Sequence, residues 1–69
     1  MRLVAGDYEE KDIIKIIREW TELSRDEFSK SVGINARVIE SYEQGRRSYS
    51  FKTLMKIAKA HNIEITFNK

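Results

Sequence analysis

The stretch Arg25–Gln44, RDEFSKSVGINARVIESYEQ, decides the reading of this 69-residue chain. It follows Ser24, with Glu27 three residues on. That is the pattern of a capping box, in which the hydroxyl takes a free N–H and the glutamate reaches back. Phe28 and Val32 then lie one turn apart on one side of a short helix. Gly33 stops that helix, because glycine enters the left-handed region at least steric cost. Ile34 is placed to plug the corner. Asn35 caps a second short helix, whose inward residues are Val38, Ile39 and Tyr42 and which Gly45 ends. Two short helices around a tight turn, with apolar residues at these positions, meet the demands of a helix-turn-helix over about 25–44.

Upstream, Ile13, Ile16, Ile17 and Trp20 share one helical face, and Ile14 widens it. The first helix is expected over about 8–21, with Asp7 as its N-cap and Glu10 completing a second capping box. Gly6 breaks a short strand at Arg2-Leu3-Val4. Downstream, Ser50 caps a fourth helix with Phe51, Leu54, Met55, Ile57 and Ala58 on its apolar side. Lys52, Lys56 and Lys59 lie outside. Asn62 reads as a left-handed stop. Residues 63–67, Ile63-Glu64-Ile65-Thr66-Phe67, alternate with period two and read as a half-buried strand. An isolated strand must find a partner. Arg2-Leu3-Val4 is the candidate, in the same chain or in a second subunit. With no linker or repeat in between, the expectation is one domain over 1–69. It is mainly all-α, with four helices and short terminal strands.

Composition narrows the function classes. Absence of cysteine excludes disulfides, thiolate catalysis and Cys-based metal sites. The single histidine leaves a metal site to carboxylates, and none are suitably arranged, so no metal or cofactor is expected. No run approaches the roughly 18 apolar residues of a membrane helix, and no leader pattern is present. The expected location is the cytoplasm. A chain this short has little material for both a core and a deep cleft. It also lacks an HExxH-like pair and a glycine-rich phosphate loop, so an enzyme is not expected. The charge is uneven. Residues 1–24 carry four basic and six acidic groups, net −2, and residues 25–69 carry nine and five, net +4. A basic part beside an acidic part is what a surface for a polyanion needs, although a solvated mixed face has the same composition.

The chain resembles the phage-repressor and Cro-type (Xre-like) helix-turn-helix transcriptional regulators from about Ile14 to Ile65. The residues that carry the resemblance begin with Ile14, Ile17 and Arg18, Leu23-Ser24 and Glu27-Phe28. They continue with Gly33-Ile34-Asn35, Ile39, Glu43-Gln44-Gly45-Arg46-Arg47 and Thr53-Leu54-Met55-Lys56-Ile57-Ala58. Arg25 stands where Gln is usual, Ser29 where a small Ala is usual, Tyr49 where Pro is common, and His61-Asn62 where Leu-Gly is common. The resemblance implies a compact four-helix, lambda-repressor-like DNA-binding domain. It implies a small transcriptional regulator, acting as a repressor through sequence-specific binding in the major groove of double-stranded DNA. Such regulators usually bind near-palindromic operators as homodimers. A protein-interaction module such as a toxin-neutralising antitoxin of the same fold is the alternative. It is disfavoured by the seven residues that follow Asn62, too short a tail to wrap a toxin.

In such a fold the third helix lies in the major groove, and its outward residues here are Ala36, Arg37, Glu40, Ser41 and Gln44. Arg37 is the strongest base-reading candidate, since a guanidinium pairs bidentately with guanine. Ser41 and Gln44 donate or accept, and Ala36 offers a methyl to thymine. Glu40 is awkward near phosphates: it accepts from a cytosine amine, orients Arg37, or is simply tolerated. Phosphate contacts are expected from Arg25, Asn35, Arg46, Arg47, Tyr49 and Lys52 at the edges of this surface. Dimer-interface candidates are Leu3, Val4, Ile63, Ile65 and Phe67, from the terminal segments. Trp20 is expected in the core, and His61 in packing or helix-end chemistry.

Overall fold

The computed structural model describes residues 2–67. Strand β1 (Arg2–Val4) leads through a single 3-10 turn (Ala5–Asp7) to α1 (Glu10–Thr21). Helices α2 (Arg25–Val32), α3 (Ala36–Glu43) and α4 (Phe51–Ala60) follow, and the described chain closes on β2 (Glu64–Thr66). The fold is mainly helical, with four helices and two short terminal strands.

Local chemistry accounts for most of the helix ends. Ser24 and Glu27 form both halves of the capping box at α2: Glu27 N–H donates to the Ser24 hydroxyl at 3.1 Å, and Ser24 N–H to the Glu27 carboxylate at 3.0 Å. The Ser24 backbone N–H, and after it the Ser24 hydroxyl, hold the Glu27 carboxyl below its ordinary range. Gly33 takes φ +68° and returns its N–H to Ser29, so α2 stops where α3 must turn away. Asn35 caps α3 and Ser50 caps α4. Asn62 adopts the expected left-handed conformation after α4.

The first helix departs from the reading of its start. It begins at Glu10, not near residue 8, and Glu9 occupies its N-cap with no side-chain cap bond. Asp7 ends the 3-10 turn instead, so it is not the N-cap of α1. The reason lies in the close approach of this turn to the C-terminal segment. A Cβ on Gly6 would sit 3.0 Å from the Phe67 carbonyl oxygen, so that oxygen would have to give by a few tenths of an ångström to admit a side chain. Gly6→Ala is therefore expected to destabilise the fold by about 1 kcal/mol, the low end of the cost of overpacking against backbone. Urea unfolding followed by Trp20 fluorescence measures this, and unchanged stability would contradict the close approach.

The two strands pair in parallel within one chain, with Leu3 opposite Ile65, Arg2 opposite Glu64 and Val4 opposite Thr66. Parallel strands need a long crossover, and here the four helices supply it. This pairing sets where the terminal candidates lie in the chain. Leu3 and Ile63 are buried in the core of the chain. Val4 and Ile65 are half-buried, and Phe67 is exposed.

Leu3, Ile14, Ile17, Phe28, Ile39 and Ile57 form the fully buried centre, surrounded by Ile13, Val32, Tyr42, Leu54 and Ala58. Trp20 and Val38 are partly buried against it. Phe51 departs from the expected apolar set of α4: it is 61% exposed, because it stands at the first position of the helix and turns away from the core. His61 follows α4 and stacks flat on Phe28, ring centroids 5.2 Å apart, with Nε2 2.9 Å from the Ser31 hydroxyl. Ser29, where a smaller residue is usual, is accommodated because its buried hydroxyl donates to the Asp26 carbonyl at 2.8 Å. Among the described residues no helix is long and apolar enough to cross a membrane.

Candidate nucleic-acid interface

The turn at Gly33 and the Asn35 cap set α3 across α2, with Ile39 and Tyr42 anchored in the core. The inward anchors leave the opposite side of α3 to solvent. Arg37 and Gln44 are exposed there, while Ala36, Glu40 and Ser41 are partly covered. The helix start is organised by Asn35, whose side-chain oxygen accepts from the Arg37 N–H at 2.8 Å. The N–H groups of Val38 and Ile39 donate to the Asn35 carbonyl, at 3.0 and 3.1 Å, and the positive dipole end of such a helix start suits a phosphate.

The loop after α3 carries the flanking cations. The N–H groups of Arg46 and Arg47 both donate to the Ser41 carbonyl, at 3.0 and 3.3 Å, which folds the loop back over the end of the helix. Gly45 at φ +75° allows that reversal. The Arg46 guanidinium donates to the Gln44 side-chain oxygen. Arg37, Arg46, Arg47 and Lys52 are exposed, and among the described residues none of them forms an ion pair. Lys56 adds a cation that the sequence placed only on an outer helix face. Its ammonium lies 3.6 Å from where a Cβ on Gly33 would be, beside the turn of the motif.

Two of the expected phosphate ligands have other partners. The Tyr49 hydroxyl donates to the Glu10 carbonyl at 2.5 Å, and its ring meets Tyr42 edge-on at 5.4 Å. Burial, aided by the charge of Glu10, pushes its pKa from 10.0 to about 12. Tyr49 thus pins the loop before α4 to the start of α1, and its proton is already engaged. Arg25 is held by carboxylates on α3: Nη2 donates to Glu43 Oε1 at 3.3 Å, and Nη1 lies 3.5 Å from Glu40 Oε2. Glu40 therefore pairs with Arg25. Arg25 Nε is buried and has no partner.

The sequence reading missed the centre of this network. Glu43, with its side chain only 5% exposed, receives a two-pronged contact from Arg18 on α1, Nε to Oε2 at 2.8 Å and Nη2 to Oε1 at 3.0 Å. A guanidinium fork on one carboxylate is among the strongest protein ion pairs. Burial pushes the Glu43 carboxyl up. The hydrogen bonds and charge of Arg18, then Arg25, outweigh that and hold it below its ordinary range. The hydrogen bonds to Glu43 raise the Arg18 pKa despite its burial. A signal was present: Glu43 falls one turn beyond Ile39 on the inward side of its helix, and Arg18 one turn beyond Ile14 on its own. Charged residues at inward positions pair when buried.

The fold and this surface agree with the comparison to known families. The family model described as helix-turn-helix matches residues 14–68 of the 69. The chain belongs to the Cro-type (Xre-like) helix-turn-helix family. No curated protein matches the chain, and no solved structure does. Members of this family are DNA-binding transcription regulators, typically without enzymatic activity. For this helix-turn-helix chain the matched span contains α2, α3 and every cation of the surface described above.

Proposed function

We propose that this helix-turn-helix protein is a sequence-specific regulator that places α3 in the major groove of duplex DNA and represses by occupying its site. The observation that carries the reading is the outward face of α3, with Arg37 exposed and in no ion pair among the described residues, and with Arg46, Arg47 and Lys52 exposed after it. Arg37 pairs bidentately with a guanine, Ser41 and Gln44 hydrogen-bond base edges, and the Ala36 methyl meets a thymine. Asn35, Arg46, Arg47 and Lys52 hold phosphates and set the register. This reading puts the protein with DNA in the cytoplasm.

The protein acts as a homodimer on a near-palindromic operator, each subunit reading one half-site. The second copy docks on the exposed aromatic pair Phe51 and Phe67, whose rings lie 5.6 Å apart. Selection from a pool of randomised duplexes is the test of the DNA reading. A near-palindromic sequence enriched over the starting pool is expected, and bound DNA with no sequence in common would contradict specific readout. Sedimentation is the test of the dimer. Wild type is expected at twice the monomer mass at tens of micromolar, and Phe51→Ser at the monomer mass. A monomeric wild type would remove the dimer from the account. Recovery of one foreign protein on the same aromatic pair would favour the antitoxin-like alternative.

A further inference from the structure

A carboxylate is an unexpected group on a surface that meets phosphates, and Glu40 stands in the middle of this one, beside Arg37, Ser41 and Gln44. It is the acidic member of that outward set, its side chain 40% exposed. Glu40 reaches Arg25 Nη1 at 3.5 Å. Arg25 is in turn held from behind, through Nη2, by the carboxylate of Glu43, which the Arg18 fork fixes in place. The guanidinium therefore bridges two carboxylates from one turn of α3, and its position is set by a buried anchor.

We propose that Arg25 is a positioning residue that tethers Glu40 and cancels its charge, so that a carboxylate is tolerated on the DNA-facing surface of α3. The inference rests on the DNA-binding reading above. The geometry favours this over a direct phosphate contact by Arg25. Turning toward a phosphate would break the pair with Glu40 and expose an uncompensated negative charge within a few ångströms of the groove, well inside the roughly 8 Å over which salt screens at physiological ionic strength. A pair this exposed contributes little to folding, so its effect is read in binding.

The test is a double-mutant cycle on affinity for one random-sequence duplex at low salt, with circular dichroism to establish that each variant is folded. Arg25→Gln is expected to weaken binding roughly tenfold, because Glu40 is uncovered. Adding Glu40→Gln is expected to recover most of that loss, a coupling within the usual range for residues in contact. Equal losses from Arg25→Gln in both backgrounds would overturn the proposal, since Arg25 would then act on phosphate by itself. Glu40→Gln alone, at a half-exposed position that does not threaten folding, keeps the test decisive if Arg25→Gln fails to fold. A change below about threefold is expected from a carboxylate already neutralised, and a gain near tenfold would show a bare charge and overturn the tether. If the folded wild type binds the duplex and the cycle is additive, only this proposal fails. If it binds no duplex, the DNA-binding reading fails and takes the proposal with it.

Discussion

Glu43→Ala is expected to remove about 3–5 kcal/mol of folding stability, the usual cost of taking one partner from a buried ion pair. A 69-residue domain has a total of about 3–10 kcal/mol at the usual per-residue scale. The variant should therefore be partly or wholly unfolded at room temperature. The loss is large because Glu43 satisfies two guanidinium groups at once, and the Arg18 side chain is itself only 19% exposed. Without the carboxylate, Arg18 remains buried with its charge uncompensated. Urea denaturation monitored through Trp20 gives the number, and a loss under about 1 kcal/mol would show that the network is ornamental. A double replacement, Arg18→Met with Glu43→Leu, should recover much of the stability, since apolar pairs often replace buried ion pairs without loss. The pH dependence has the same origin. The folded pKa of Glu43 is depressed, so its contribution is full above the ordinary value of 4.5 and is lost as pH falls through the lower folded value. Wild type should weaken below about pH 4.5, and a folded Arg18→Met/Glu43→Leu protein should weaken less over the same range.

Arg37→Ala should have the largest effect on recognition. Against a duplex enriched by wild type, a loss of about 1–3 kcal/mol is expected, with relaxed preference at one base pair. Against random DNA the loss should be smaller, because only the general attraction of one cation to phosphate is removed. Stability should stay within about 0.5 kcal/mol of wild type, since the side chain is exposed and the backbone N–H that bonds Asn35 is retained. Binding isotherms on both duplexes separate these outcomes. Equal losses on the two would make Arg37 a phosphate ligand and move base reading to Ser41 and Gln44.

The helix-turn-helix was legible because its determinants are local. The Ser24–Glu27 box, Gly33, and the Asn35 and Ser50 caps all act within a few residues, and each appears where the sequence places it. The Asp7–Glu10 pattern was just as local, yet Glu9 caps the helix instead of Asp7, where the chain meets its C-terminal segment. Gly6 packs on the Phe67 carbonyl, and the chain makes a tight turn before the helix can begin. Strand 63–67 was legible as a strand lacking a partner, but alternation says nothing about which chain supplies it. The parallel pairing with β1 gives Leu3 and Ile63 to the core.

In the site, helical periodicity identified which residues of α3 face outward. It could not show that Arg25 and Tyr49 have protein partners 15 and 39 residues away in Glu40 and the Glu10 carbonyl. Charge pairing across helices depends on how they cross, and a linear pattern of residue types does not contain that angle.

The exposed face of α3 and its flanking cations are proposed to bind duplex DNA. Fluorescence anisotropy of a labelled random duplex, titrated with the protein across a salt series, tests it most directly. The account predicts binding at low salt with a steep negative dependence on salt concentration, since each phosphate contact releases counterions. Replacing Arg46 and Arg47 together should make that dependence shallower by about two. A folded protein that leaves the anisotropy unchanged at low salt would contradict it.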